Sequence, residues 1–585
     1  MLKRYYEQEL SNLRVLANEF AASNPSIAPM LGNNSAADPD VERLLEGVAF
    51  LMGMMRQRLD DDFPEVIQQL AFLLFPQFLQ PLPCMTILQY QPRPESLEGT
   101  VTVPAGTDVA SLPIDGTRVI FTSVFPVAVE PITLHSTQWE GGSGEKHALT
   151  LLFSIDGVDP LSWQAKCLRF YLGDTLPSAS KLLLLLSRHV SEIRIGAIGE
   201  PPTVLQASAI ELSGFDSGFT LLPGESNQHP AYRSLREYFA FPEKFLFVSL
   251  LGLERWDNRG TSGKFKVSFI FNTLPAWVPE ITNKSFLLNA TPSINVFEAD
   301  AQPIRIDHKR ASYPVRLLPD VGGRHVANIF DITKVTGLTA QGEVSYRPFS
   351  NFEGGSTIYH RQIKPSINGK DFEYHLSVSR VQPPMSSQFG SATVGQADDD
   401  ITLSVRVRCT HGRLPEMLRL GDLSQPTDTS PARMMFSNIR PITEYRPPVI
   451  SDKLLWRMLS HLNSNYLRIN SRDEFVNMLM LQAPITWEGA VGLSNQRCIE
   501  SIETFNVVSA RRITRGIPIE GSEIMLTCHG SHFASIGVLF LFGSVLDEFF
   551  AGTTSLNTYT ELTIYDSDND ETLKWPAKIG RLRLL

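Results

Sequence analysis

The longest regularly spaced apolar pattern in this sequence lies between Asp38 and Pro83. Asp38 is suited to cap a helix and Pro39 to occupy its first position. Spacings of three and four residues then place a set of apolar side chains along one broad stripe. The members of this apolar stripe are Val41, Leu44, Leu45, Val48, Leu51, Met52, Met55 and Leu59. The pattern predicts an amphipathic helix with an unusually wide apolar face.

The acidic run 60–62 and Pro64 predict that this helix breaks and that a second one follows. The second helix carries Val66, Ile67, Leu70, Leu73 and Leu74, and the prolines at 76, 81 and 83 end it. Residues 2–22 predict a further helix upstream, with Leu2, Tyr6, Leu10, Leu13, Ala17 and Phe20 on its apolar face. Because these helices cannot cover the stripe by themselves, it needs a partner elsewhere in the chain or on another chain.

After Pro83 the period of the pattern changes from helical to alternating. Strands are expected in the segments 100–111, 147–155, 166–172, 244–251, 264–271 and 401–410. The last of these alternates most cleanly, with Ile401, Leu403, Val405, Val407 and Cys409 on one face. The region therefore reads as antiparallel β structure, with loops at 200–203, 386–400 and 422–433.

Helical patterning returns at 452–469, where Trp456, Leu459 and Leu462 share a face that we expect to be core. Ser471 and Glu474 have the spacing of a capping box. Segment 544–551, with Phe549 and Phe550, predicts a core helix, and 560–566 a strand.

The length of 585 residues is too great for one core. We expect an α+β multidomain protein: an N-terminal helical module (1–83), β-rich domains (84–225 and 226–433) and a mixed α+β C-terminal domain (434–585).

The composition and the net charge argue against several classes of protein. The chain is 43% hydrophobic and 19% charged, which is typical of a folded soluble protein. Its longest uncharged apolar run, 533–546, is shorter than a membrane span, and its N-terminus lacks a secretion signal. Five scattered cysteines indicate reduced thiols in the cytosol, and a net charge of −10 argues against general nucleic-acid binding.

Three stretches resemble functional motifs, and each has a simpler interpretation. Asp60-Asp61-Asp62 lacks the spaced oxygen ligands of a calcium loop, so we interpret it as a helix-dipole partner. Segment 141–146 lacks the Gly-Lys-Ser/Thr ending of a phosphate loop and predicts a hairpin turn. Cys528, His529 and His532 lack the second ligand pair of a structural zinc site. We therefore expect no metal and no cofactor.

No known catalytic motif is present, so the sequence names no catalytic residue. Arg511, Arg512 and Arg515 form a short basic cluster, which is either a solvated face or a site for an acidic protein partner. A β-rich protein that binds or hydrolyses carbohydrate is the alternative function class. It would need paired carboxylates in a cleft and exposed aromatic side chains.

Several segments resemble the TssF (VasA/ImpG) family of type VI secretion baseplate subunits. They are 5–32, 38–65, 232–253, 286–304, 454–465 and 542–564, and YRSLREYFAFPEKFLFVSLLGL (232–253) is the most specific. They span nearly the whole chain in the family's order. One departure is CTHGRLPEML (409–418), where the family pattern has an asparagine near His411.

The resemblance implies a non-enzymatic baseplate wedge subunit of a contractile injection machine. In such a wedge two copies of this chain pair around one TssG, and the unit joins TssK and TssE. Neighbouring wedges surround the spike hub on the cytoplasmic side of the inner-membrane complex and prime assembly of tail tube and sheath. The apolar stripe would then line an intermolecular helix bundle with TssG and the second copy, and the loop 386–400 would adapt to the two inequivalent positions.

Overall fold

The computed structural model describes residues 2–23, 39–93, 97–141, 147–216, 218–224, 229–307, 310–318, 327–339, 342–351, 357–366, 372–379, 401–448, 471–483, 490–514 and 517–582. The helices, numbered in chain order, are α1 (Leu2–Ser23), α2 (Pro39–Leu74), α3 (Pro76–Leu79), α4 (Leu176–Arg188), α5 (Pro230–Ala240), α6 (Arg472–Gln482), α7 (Ala490–Glu500) and α8 (Ile536–Thr553). The predicted helix 452–469, with Trp456, and the loop 386–400 lie outside the described residues.

The predicted break at Asp60–Pro64 is wrong, because α2 runs without interruption for 36 residues. A proline inside a helix costs one backbone hydrogen bond and roughly 3 kcal/mol. Tertiary packing offsets that cost, since Ile67, Ala71 and Phe72 beyond the proline are buried in a core. As predicted, the described part of residues 1–83 is helical and contains no strand.

Three sheets and a two-stranded ribbon form the middle of the molecule. The first sheet has the order β24-β3-β4-β15-β1-β25, with β1 (Met85–Pro92), β3 (Asp108–Ala110), β4 (Ile120–Ser123), β15 (Ala290–Ile294), β24 (Gln425–Pro426) and β25 (Met434–Asn438). The second has the order β10-β9-β13-β7-β6, with β6 (Ile132–Glu140), β7 (His147–Ile155), β9 (Val190–Ala197), β10 (Thr203–Gln206) and β13 (Lys264–Phe271). The third has the order β11-β12-β8-β14, with β8 (Cys167–Leu172), β11 (Ile210–Glu211), β12 (Phe247–Leu251) and β14 (Phe286–Leu288). The ribbon pairs β2 (Val101–Val103) with β5 (Val127–Val129).

A fourth, larger sheet and a C-terminal sheet complete the fold. The large sheet has the order β16-β23-β19-β20-β21-β22-β18 with β17 beside β23, from β16 (Phe297–Asp300), β17 (Ile304–Ile306), β18 (Tyr313–Pro314), β19 (Asn328–Thr339), β20 (Gly342–Pro348), β21 (Ile358–Pro365), β22 (Phe372–Ser379) and β23 (Ile401–Thr410). The C-terminal sheet has the order β26-β27-β28-β29 with β30 beside β28, from β26 (Ile502–Thr514), β27 (Ile517–Cys528), β28 (Thr558–Asp566), β29 (Glu571–Lys574) and β30 (Lys578–Ile579). The α+β multidomain class is thus confirmed, while the four domain intervals remain a prediction.

The clearest alternating segments gave the most accurate strand predictions. β7, β13 and β23 have the predicted bounds, and all five alternate residues of β23 are buried. Segment 244–251 is a strand only from Phe247, because Pro242–Phe245 forms a 3-10 turn. β6 and β7 pair as an antiparallel hairpin up to Glu140 and Ala148, so the segment 141–146 connects two strands as predicted.

The C-terminal sheet contains a parallel pair, β27 with β28, connected through α8. A parallel pair needs such a crossover, and this one places α8 against the sheet. By length and composition α8 could cross a membrane, but 72% of it is buried inside the protein. Phe549 and Phe550 are buried within it, as predicted, and Ser471 caps α6 by accepting from the Glu474 N–H at 3.3 Å. α8 is therefore the central core helix of this region.

His411, where the sequence departs from the family pattern, is held by an asparagine. Asn295, from a distant segment, lies with its Nδ2 3.0 Å from His411 Nδ1 and accepts from the His411 N–H at 2.8 Å. Burial lowers the pKa of His411 to about 4, so its imidazole is neutral at neutral pH. The five cysteines, all within the described residues, are free thiols, as predicted.

Candidate protein-interaction surface

The helices α1 and α2 form a hairpin held by close backbone contact. A Cβ atom added at Gly53 would lie 3.1 Å from the Tyr6 backbone nitrogen, which is a tight contact, so a larger residue would have to push the helices apart by a few tenths of an ångström. Ala49, one turn earlier on α2, is fully buried at the same seam. Small residues four apart let two helices pack closely, and here they form the seam between α1 and α2.

Two ion pairs show the relative direction of α1 and α2. Arg14 pairs with Glu42 at 2.8 Å, and Arg56 pairs with the largely buried Glu9. Since Tyr6 meets Gly53 while Arg14 meets Glu42, the two helices run antiparallel. The hairpin is thus a defined two-helix unit.

The predicted apolar stripe divides into a seam-facing part and a solvent-facing part. Leu45 and Val48 flank the seam with α1 and are half-buried. The solvent-facing residues, with their exposed fractions, are Leu44 (67%), Leu51 (57%), Met52 (42%) and Met55 (67%). The side chain of Val41 lies outside the described residues. The single chain therefore leaves most of the predicted surface uncovered.

The exposed apolar surface is wider than the sequence indicated. Phe50 and Met54 on α2 are 44% and 40% exposed, and Val15, Leu16 and Phe20 on α1 are all more than half exposed. Their signal in the sequence is the run VAFLMGMM (48–55), which is apolar on every side of the helix. A helix of that kind is normally buried all round.

The far end of α2 is mounted on the large sheet by polar contacts. The Gln68 amide donates to the Ile363 carbonyl at 2.9 Å and accepts from the Ile363 N–H at 3.1 Å, and Gln69 donates to the Arg361 carbonyl at 2.8 Å. Beside them the Arg361 guanidinium lies 4.4 Å from the centre of the Phe72 ring and pairs with buried Asp331 at 2.7 Å. We call the helices α1, α2 and α3, up to Gln80, the helical arm. These contacts fix the direction in which it leaves the large sheet.

A second polar link joins the arm to α5. The Gln80 amide donates to Asp331 at 3.3 Å, and the Gln80 carbonyl accepts from buried Arg236 at 2.9 Å. Burial lowers the pKa of Arg236 to about 9. The arm, the large sheet and α5 therefore share one hydrogen-bond network.

The other candidate sites are closed by internal partners. His529 pairs with Asp568 at 3.3 Å, Cys528 is buried, and no metal-ligating group of three or more side chains occurs within the described residues. Arg511 pairs with Glu520 across the β26–β27 hairpin at 2.8 Å, while Arg515 lies outside the described residues. The predicted cluster of three arginines therefore stays a prediction.

One cleft brings aromatic side chains and two carboxylates together, but its aromatic residues Phe540 and Trp575 are only 2% and 4% exposed, and the carbohydrate alternative would need exposed ones. It has a volume of about 600 Å³ and is lined by Phe540, Trp575, Asp547 and Glu548, among others. Lys578 Nζ lies 2.6 Å from Asp547 and 2.5 Å from Glu548, and Arg581 pairs with Glu548 at 2.9 Å. Burial raises the pKa of the Asp547 carboxyl. The two carboxylates thus belong to an ion network with two cations.

An α+β multidomain chain with a rigidly mounted, apolar helical arm has the features of an assembly subunit. The model of the family "Type VI secretion system, TssF" matches residues 1–582. The chain is 26% identical to the type VI secretion system component TssF1 of Pseudomonas aeruginosa, over 99% of this chain and 98% of that protein. The chain therefore belongs to the TssF family of the type VI secretion system.

Solved structures agree with this assignment. A chain of the TssK-TssF-TssG baseplate subcomplex of the type VI secretion system superimposes with a TM-score of 0.80 at 25% identity, covering 93% of this chain and 99% of that one. A chain of the type VI baseplate complex matches at a TM-score of 0.58 and 23% identity, over 99% of this chain and 100% of that one. The second likeness concerns the fold alone.

Proposed function

We propose that this protein is a structural wedge subunit of a type VI secretion baseplate, and that its helical arm binds TssG and a second copy of this chain. This proposal rests on the exposed apolar surface of α2. Four of the residues predicted to form the interface are between 42% and 67% exposed. Large contiguous apolar surfaces on soluble proteins mark interaction sites. A shared helix bundle would bury this surface.

The complex that contains a similar chain supports the partners proposed here. The similar solved chain comes from a complex whose other components are TssK and TssG, which supports both as partners here. By the family resemblance, two copies of this chain surround one TssG, and the unit contacts TssE, the spike hub and neighbouring wedges. The rigid mounting of α2 on the large sheet suits this role, because it would hold the sheet in a fixed direction from the bundle.

We infer no enzymatic activity and no cofactor. The cleft carboxylates Asp547 and Glu548 pair with Lys578 and Arg581, and such an ion network supports a structural role for them. The place of action is then the cytoplasmic face of the inner-membrane complex. There the loop 386–400 would adapt to the two inequivalent positions.

Charge introduced on the arm tests this proposal. We expect Leu51→Asp and Met55→Asp to fold normally, because both side chains are largely exposed, but to lose recruitment of TssG and TssK on co-expression. An unpaired carboxylate in an apolar seam costs several kcal/mol, which is a loss of binding of roughly a thousandfold. Val48→Asp is a less selective variant, because Val48 is half-buried against α1.

Leu161→Asp is the matched control, since Leu161 is 62% exposed and lies far along the chain from the arm. Its complex should co-purify unchanged. Normal co-purification of both arm variants would contradict the proposal. A carbohydrate-active enzyme, in contrast, would purify alone in every case.

A further inference from the structure

A cavity of about 280 Å³ lies between the β2–β5 ribbon and the third sheet. Three short segments line most of it: 126–128 at β5, 167–169 of β8, and 288–290, where β14 passes into β15. Thr102 and Ala128, which lie opposite each other in the ribbon, also line the cavity and are exposed. The cavity can therefore be reached from solvent.

The edges of two strands border this cavity. Successive side chains of a strand point to opposite faces, so three lining residues in a row indicate that the backbone itself borders the space. In β8 the neighbouring strand β14 pairs only with residues 170–172. Within the described residues, no strand continues that pairing beside 167–169, and β5 has only β2 as a partner. An unpaired strand edge presents N–H and C=O groups to a further strand.

Asn289 lies where β14 turns away from β8. Its backbone is left-handed, with a φ of 57°, which asparagine adopts more readily than most residues. The residue lines the cavity and is only 9% exposed, yet its side-chain amide makes no hydrogen bond to any described residue. A buried amide without a partner is unfavourable, so it marks a position for a ligand group that can donate or accept a hydrogen bond.

Two charged side chains of opposite sign also line the cavity. The Arg169 Nη1 donates to the Pro126 carbonyl at 3.1 Å, and its buried Nε has no partner among the described residues. One oxygen of buried Glu130 accepts from Thr100 and Trp163, at 2.7 and 2.8 Å. Because a cation and an anion are both present, the cavity favours neither a cationic nor an anionic ligand. It suits an uncharged group that has both an N–H and a C=O.

We propose that this cavity binds an extended, uncharged segment of another baseplate subunit, and that the main chain of the segment pairs with the open edge of β8 beside residues 167–169. A peptide group offers one N–H donor and one C=O acceptor, which match both the strand edge and the Asn289 amide. Small apolar side chains of the segment would pack against Val127, Leu288 and Ala290. The proposal rests on the proposed baseplate role, but it uses residues separate from the arm.

Peptide binding tests the cavity. Fluorescent 15-residue peptides that together cover the TssG and TssK of the same system are titrated with the full-length protein. We expect at least one peptide to bind saturably, with an affinity that changes little as NaCl is raised, since main-chain pairing involves no net charge. Ala128→Trp should weaken this binding by roughly tenfold or more, because the indole would lie where the segment enters. Asn289→Gly keeps the left-handed backbone but removes the amide, and should weaken binding about threefold to tenfold.

Hydrogen–deuterium exchange separates main-chain pairing from binding elsewhere. With the binding peptide present, backbone amides in 167–169 should exchange more slowly, because the added strand would cover the edge of β8. A peptide that binds only on the outer surface would leave their exchange unchanged.

Ala432→Trp is the matched control, because Ala432 is exposed in the turn before β25, outside the cavity. It should bind like the unaltered protein, and circular dichroism should show that all variants fold. Absence of saturable binding, equal binding by Ala128→Trp, or unchanged exchange at 167–169 would overturn the cavity proposal. If Leu51→Asp still abolishes TssG recruitment in that case, the baseplate role stands and only the cavity proposal is contradicted.

Discussion

Glu237→Ala is expected to destabilise the protein by about 5 kcal/mol or more. The Glu237 carboxylate is fully buried on α5 and accepts from the Leu221 and Leu222 N–H groups at 2.8 and 2.9 Å. Its other oxygen pairs with buried Lys244 at 2.5 Å. Removing one partner of a buried ion pair costs roughly 3–5 kcal/mol, and each backbone N–H left without an acceptor adds about 1–3.

Urea unfolding, followed by tryptophan fluorescence, measures this cost. Lys244→Met alone should also destabilise, because it leaves the carboxylate without its cation. The double variant Glu237→Leu/Lys244→Met should cost less than the sum of the two single changes, since the two groups act as a pair. A loss below about 1 kcal/mol for Glu237→Ala would show that water or another group replaces the carboxylate.

Gly537→Ala is expected to destabilise the core by about 2–3 kcal/mol, although alanine favours helices over glycine by about 1 kcal/mol. Gly537 lies in the first turn of α8, where that helix crosses α4. An added Cβ would lie 2.2 Å from the Lys181 nitrogen and 2.4 Å from the Ser180 carbonyl carbon. Both obstacles are backbone atoms, so α4 and α8 would have to separate.

Gly47→Ala makes the control, because Gly47 is also helical but has no neighbouring atom within 4 Å of an added Cβ. The same substitution should stabilise the protein there by about 0.5–1 kcal/mol. Thermal unfolding of the two variants should therefore shift in opposite directions. A stabilised Gly537→Ala protein would mean that α4 and α8 do not cross at this glycine.

Local patterns determined what the sequence could predict of the fold. Strict alternation fixed the bounds of β13 and β23, because one face of each strand is buried and the side-chain period is two. The break at Pro64 was mispredicted because the burial of Phe72, through tertiary packing, outweighs a local proline cost. The Glu237–Lys244 pair has no local signature, since its other partners, Leu221 and Leu222, come from a separate loop.

Local patterns likewise predicted only part of the candidate site. Helical spacing identified the apolar face of α2, including the exposed Leu51 and Met55. It did not separate the residues that meet α1 from those that meet solvent, because that division depends on where Gly53 touches Tyr6. The mounting of α2 through Gln68 on β21 joins residues 295 positions apart and leaves no pattern in the sequence.

The central claim is that the exposed face of α2 lies in an intermolecular helix bundle, and site-specific crosslinking tests it most directly. A photoreactive benzoylphenylalanine replaces Met55, or Leu161 as the control, in protein co-expressed with TssG. We expect illumination to link position 55 to TssG or to a second copy of this chain, as identified by mass spectrometry, while position 161 gives no such product. Products confined to the chain's own α1, or no product at position 55 in an assembled complex, would contradict it.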